Sequence, residues 1–313
     1  MKNVTLIKKS VCALALLMTC HIASASYNSS ITDNLKVSTS LGLLSAESQE
    51  SVYQPENQGH KVSQLDWKVR NAPIIKMDIS WDLLSRLTLT AKGWSTLSSA
   101  DGFMDNYDWL NQNQINWSEW SHHSKTNLNH ANEIDLNVKF WLLNNNNYRI
   151  GAISGYQQSN NSWVAYGGDL IYSNGSQLIK LSDDIMAISY KQKFNMPYIG
   201  LAGHYRHQNF ELNTLFKYSS WVNANGYDKH HLRNQTFNDT SKNSRYYGVA
   251  MDVGYYVTKN TKVFVEASWN RYSEGKGNSQ MLNQATGQSI NTLKGAGIAY
   301  RNQTLSLGLQ HKF

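Results

Sequence analysis

Ile134, Leu136, Val138, Phe140 and Leu142 occupy every second position, and Glu133, Asp135, Asn137 and Lys139 fill the gaps. A period of two puts the two sets on opposite faces of a strand, whereas the faces of a helix repeat about every 3.6 residues. Asparagines 144–147 then break the pattern, and Tyr148, Ile150 and Ala152 resume it. Residues 132–157 therefore predict an antiparallel hairpin with one polar and one apolar face.

The same alternation recurs along the chain. It runs through Leu35–Leu43, through Leu65–Trp81 across Pro73, through Leu87–Ala91, Ile188–Arg206, Phe210–Tyr218, Tyr247–Tyr255, Val263–Trp269 and finally Leu305–Phe313. With the hairpin this makes ten strands. Short turns near residues 83, 145, 208 and 259 alternate with long polar segments near 46–62, 100–130, 158–187, 223–246 and 271–294, which read as loops. Short turns at one end and long loops at the other predict an all-β fold, a ten-stranded antiparallel transmembrane β-barrel extending above the outer membrane, with the loops outside. Closure satisfies every backbone donor within lipid. Ten Trp and 18 Tyr in a chain of polar average suit rings placed at membrane interfaces. A soluble secreted β-domain is the competing reading, but it leaves the apolar outward faces unexplained.

Lys2, Lys8 and Lys9 precede the apolar run Val11–Thr19, and Ala23-Ser24-Ala25 offers small residues at cleavage spacing, so residues 1–25 read as a signal peptide and 26–313 as one barrel domain. A lipid attachment site at Cys20 is the alternative. Both cysteines, Cys12 and Cys20, fall inside the leader, which excludes disulfide and thiolate chemistry from the mature domain. Removing the three leader lysines from the 29 basic residues leaves 26 against 22 acidic, a net charge of +4, too mild and too scattered to imply nucleic acid.

Two stretches assigned to the outer end concentrate acids and histidines, Gly102–Trp109 and Trp221–His231. In an extended backbone Asp228 and His230 point the same way with Cα atoms about 7 Å apart. A carboxylate beside an imidazole orients it and raises its basicity, the chemistry of a general base acting on water. The bland alternative is a solvated polar face. The pairs His122-His123 and His230-His231 place their members on opposite faces with no further ligand at metal spacing, so no metal is expected.

Beyond these patterns, the sequence resembles the omptin family of outer-membrane proteases. The resemblance rests on Lys61–Lys68 (KVSQLDWK), Ala131–Asn137 (ANEIDLN), Tyr190–Phe194 (YKQKF), Met196–Leu201 (MPYIGL) and Val265–Arg271 (VEASWNR), and extends over nearly the whole mature chain. It implies a barrel in the outer membrane of a Gram-negative bacterium that cleaves cationic peptides or host proteins near basic residues. An Asp-His couple would face an Asp pair across a water outside the membrane.

Asp228 and His230 fall on that couple and Asp108 on the second acid of the pair. Asn106 stands where the first acid is expected, with Asp105 one residue earlier. Glu50 and Glu119 fall on acidic subsite walls, while Gly226 replaces a further subsite Asp, so one pocket is expected to be less acidic. The resemblance also implies lipopolysaccharide as an activator, held by Tyr156, Lys193 and Lys242, with Gln158 and Asn160 replacing the usual Glu and Arg. No other cofactor is expected, and the barrel is expected to be monomeric. Three readings remain at this level: a protease with a modified acid pair, a slow or narrow protease, and a barrel used as a surface adhesin or binding protein.

Overall fold

Each alternating run becomes a strand of one closed antiparallel sheet. The computed structural model describes residues 34–57 and 59–313, so the leader expected at 1–25 lies outside the described residues. Among these, eleven strands form: β1 (Leu35–Gln54), β2 (His60–Leu84), β3 (Leu87–Thr96), β4 (Ala100–Asp108), β5 (Glu119–Asn144), β6 (Tyr148–Tyr172), β7 (Gln177–His207), β8 (Phe210–His230), β9 (Gln235–Tyr256), β10 (Thr261–Asn283) and β11 (Ser289–Lys312). β3 and β4 lie end to end between β2 and β5, so the wall has ten staves. The ring closes because β1 pairs with β11 on one side and β2 on the other.

The short turns fall where the alternation breaks, at 85–86, 145–147, 208–209 and 257–260. The other end differs from the sequence expectation. The long polar segments are mostly strand: 158–187 belongs to β6 and β7 except for residues 173–176, and 223–246 to β8 and β9 except for 231–234. Among the described residues only 109–118 is a loop of any length. Above the membrane both faces meet polar surroundings, so the apolar rhythm fades while backbone pairing with the neighbouring strand continues. Loss of hydropathy alternation was therefore a loss of lipid, and the extended conformation went on.

Around the turn end, Leu41, Leu43, Met77, Ile79, Ile134, Leu136, Ile199, Leu201, Val249, Met251, Leu305 and Leu307 face outward and are exposed, forming the lipid belt. The alternate residues fill the lumen with lysine–carboxylate contacts. Lys76 and Lys92 reach Glu266 at 2.8 and 2.7 Å, Lys262 reaches Glu211 at 2.6 Å, and Lys217 holds Asp135 and Gln157. Higher up, the lumen becomes a packed aromatic core of Trp67, Trp163, Tyr190, Phe194, Tyr246, Tyr272 and Tyr300. Phe194 and Tyr272 are 4.4 Å apart at their ring centroids, and Trp67 and Tyr190 5.8 Å. This core plugs the tube and lies beneath the upper ends of β4, β5 and β8.

Candidate active site

On β8 the period of two sends Val222, Ala224, Gly226 and Asp228 inward, and His230 follows. Asp228 is 1% exposed and its Oδ2 lies 2.7 Å from His230 Nε2. A carboxylate can only accept, so the Nε2–H donates to it and Nδ1 is left as the lone-pair nitrogen. Phe237, the ladder partner of Asp228 on β9, stands edge-on to the imidazole at 5.5 Å and limits its rotation.

Across the mouth, β4 turns Met104, Asn106 and Asp108 inward, in register with Trp67, Leu65 and Ser63 of β2. Ser63 Oγ donates to Asn106 Oδ1 at 3.1 Å, and that bond fixes the amide so that Asn106 Nδ2 points to Asp108 Oδ2 at 3.4 Å. Burial pushes the Asp108 carboxyl above its ordinary range, opposed by the Ser63 hydrogen bond and by the positive charges of Arg233 and His230. Asp108 and the imidazole are therefore close enough to feel each other. Glu119 is the ladder partner of Asp108 on β5; burial and the Asp108 charge both raise it, and Arg233 lowers it.

β4 has not slipped. Asp105 points to the outer wall, beside Asp66, where its Oδ1 lies 2.8 Å from His122 Nδ1. It takes no part in the mouth, and Asn106 occupies the inward position. The two adjacent histidines of β5 separate as alternation requires. His122 stacks on Trp120 outside, while His123 turns inward to Ser121 Oγ at 3.1 Å, with burial lowering its basicity.

Glu50 of β1, 1% exposed, lies close to Asp228 and to Asp239 of β9. Asp239 is the ladder partner of Gly226, so the pocket expected to lack an acid has one on the neighbouring strand. Sequence reading missed Asp239 because the residue that matters to it is not near in the chain. Counting back from the 231–234 turn pairs it with Gly226 and would have found it. Tyr156, Lys193 and Lys242 all face outward on β6, β7 and β9, and Asn160, the partner of Lys193, donates to Asn132 Oδ1 at 2.8 Å.

A profile of the omptin family matches residues 31–313. This chain belongs to the omptin family. The omptin is 49% identical over 283 residues to a plasminogen activator of Yersinia pestis, covering 90% of each chain. It is 44% identical over 315 residues to protease 7 of Escherichia coli K12, covering 96% of this chain and 98% of the relative. Its barrel superposes on the crystal structure of the outer membrane protease OmpT of Escherichia coli with a TM-score of 0.88 at 43% identity, over 93% of this omptin and all of that chain. The barrel architecture argued from alternation is thus that of a solved omptin.

Proposed function

We propose that this outer-membrane endopeptidase cleaves peptide bonds with a water held between the Asp228–His230 couple and the Asp108–Asn106 pair. His230 takes a proton from the water at Nδ1 as the oxygen attacks the scissile carbonyl carbon, and Asp228 stabilises the imidazolium that results. The same imidazolium returns the proton to the leaving nitrogen when the tetrahedral intermediate collapses. Asp108 accepts the second water hydrogen and aims the lone pair. Asn106, anchored by Ser63, holds Asp108 in place with a donated hydrogen bond.

The observation that carries this reading is the 2.7 Å Asp228–His230 contact, inward-facing, with the half-buried Asp108 turned inward on β4 across the mouth. The acids of the mouth, Glu119 and Asp108, suit peptides and proteins rich in basic residues. Lipopolysaccharide is the proposed activator. Tyr156, Lys193 and Lys242 face outward on β6, β7 and β9, where cations and a ring can meet lipid phosphate and acyl chains. The barrel is proposed to work as a monomer, since one chain supplies every group named above.

The test uses the purified, folded barrel on a fluorogenic basic peptide, with and without lipopolysaccharide. His230→Ala should remove about 10²- to 10⁴-fold of the rate, the usual worth of a positioned general base. Equal rates in the two proteins would sink the mechanism. Equal rates with and without lipopolysaccharide would sink the lipid assignment alone.

A further inference from the structure

The geometry points to a second lipid seat on the outer wall of β9, β10 and β11, in which Arg245, Arg271 and Arg301 hold the phosphate of an outer-leaflet lipid while an acyl chain lies in the trough beneath them. It uses none of Tyr156, Lys193 and Lys242, and stands or falls separately from the activator assignment.

Three neighbouring strands end their lipid-facing run in the same way. On β9 the outward residues ascend through Met251, Val249 and Tyr247 to Arg245, on β10 through Val265, Ala267 and Trp269 to Arg271, and on β11 through Leu307, Leu305 and Gln303 to Arg301. Apolar side chains give way to a ring or an amide and then to a guanidinium, the succession expected where a wall leaves the hydrocarbon and meets headgroups. Tyr218 of β8 stands beside Tyr247 with ring centroids 5.4 Å apart, which marks the same boundary one strand further on.

These cations are not balanced from within. Arg271 and Arg301 are ladder partners, both exposed, and like charges directly opposite on a sheet repel. Glu47 of β1 answers Arg301 at 2.5 Å, but the Arg271 and Arg245 guanidiniums have no acid or hydrogen-bond partner among the described residues. The next acid of β10, Glu274, is already held by Tyr53 Oη at 2.6 Å and Ser51 Oγ at 3.2 Å. The lumen, by contrast, gives Lys76, Lys92, Lys217 and Lys262 each an acid. Facing arginines at headgroup height are relieved by an anion from outside the chain, and the guanidinium fork matches phosphate oxygens two at a time.

The trough supplies the other half of the ligand. Ala267 is the ladder partner of Leu305 and of Met251, and its small side chain forms the floor between those two larger ones. With Leu43, Val249 and Trp269 they line an open groove of about 520 Å³. The groove begins at Trp269, two residues below Arg271 on the same face, so a phosphate on the arginines places its chain in the groove. A free anion would use the arginines alone, whereas a lipid uses both and covers apolar surface as well.

The experiment titrates the purified, folded barrel in detergent with diphosphoryl lipid A, and with the same lipid stripped of its phosphates, counting bound lipid by native mass spectrometry. The native protein is compared with Arg271→Gln and with Arg271→Gln combined with Arg245→Gln, each also carrying Lys193→Gln so that lipid at the activator site is counted apart. Affinity for the phosphorylated lipid should fall about fivefold for each arginine removed, about 25-fold for both. The stripped lipid should bind all three proteins alike, and weakly. Heating the lipid-free proteins gives a second reading: Arg271→Gln removes a like-charge neighbour of Arg301, so its unfolding temperature should equal or exceed the native one. Equal affinity of the native and double-variant proteins for the phosphorylated lipid, or no discrimination between the two lipids by the native barrel, would overturn the inference. So would a lower unfolding temperature in Arg271→Gln, which would show that the chain itself satisfies this arginine. Displacement of the lipid by excess inorganic phosphate at matched ionic strength would overturn it as well, in favour of a free anion. If the double variant does not fold, Arg245→Gln alone decides by the same comparison.

Discussion

Asn106→Asp isolates the one place where the inward acids depart from a matched pair. The amide nitrogen of Asn106 lies 3.4 Å from Asp108 Oδ2, so the replacement sets two carboxyls at that distance. Two full charges so placed repel by about 5 kcal/mol at an effective dielectric of 20, equivalent to roughly 3–4 pH units. Both side chains are partly exposed, and discounting for solvent leaves roughly 2 units. Asp108 is already raised by burial, and the variant also loses the amide donor that favours its ionised form. The new pair therefore holds one proton to higher pH than a lone carboxyl would, and in that form carries a net charge of −1, as the native Asp–Asn pair does. The expected outcome is a kcat/KM within about tenfold of native at pH 6.5, with a new ionisation appearing above the ordinary carboxylate range. Initial rates on a basic peptide from pH 5 to 9, at a fixed ionic strength, measure it. A hundredfold gain at pH 6.5 would refute the shared-proton argument and show that the native site lacks a charge it needs.

Two further outcomes follow from the same geometry. His122→Ala, which breaks the outward contact with Asp105, should leave kcat/KM within about twofold, because it removes a contact on the outer wall, on the opposite face of β4 from Asn106 and Asp108; a loss comparable to His230→Ala would mean that the two couples have been assigned to the wrong faces. Lys217→Met strands Asp135 in the lumen and should destabilise the barrel by about 3–5 kcal/mol, read as a lower temperature for the loss of the folded form on a heated gel; an unchanged temperature would show that the lumen pair is not needed.

Asn106 and Gly226, where acids are expected, are the departures that motivate reading the chain as a binding barrel, and the surroundings of Asn106 weaken that ground. The side chain is held by Ser63 and presented to Asp108, a use that a vestigial residue would not need. Gly226 was the other ground, and its ladder partner is an acid. Asn106 thus sits in ordered polar contacts beside Asp108, and Gly226 is paired with an acid.

The lipid-embedded part of the fold was legible because lipid and lumen impose opposite demands on successive residues. Ile134 and Leu136 had to face one way, Asp135 and Asn137 the other, and the asparagine turn at 145–147 ended both strands at one rim. Outside the membrane that demand lapses, so the upper halves of β6, β7, β8 and β9 were read as loops although they remain paired. The Asp228–His230 contact was equally legible, since two residues on one face of one strand meet by local geometry alone. What only the tertiary structure decided are the relations across strands. They are the inward aim of Asn106 and the outward aim of Asp105, the facing of Asp108 and His230, and the meeting of Glu50, Gly226 and Asp239 from β1, β8 and β9. The physical reason is register: alternation fixes which face a residue takes within its strand, while hydrogen bonding between strands fixes its height, and a site in a barrel needs both.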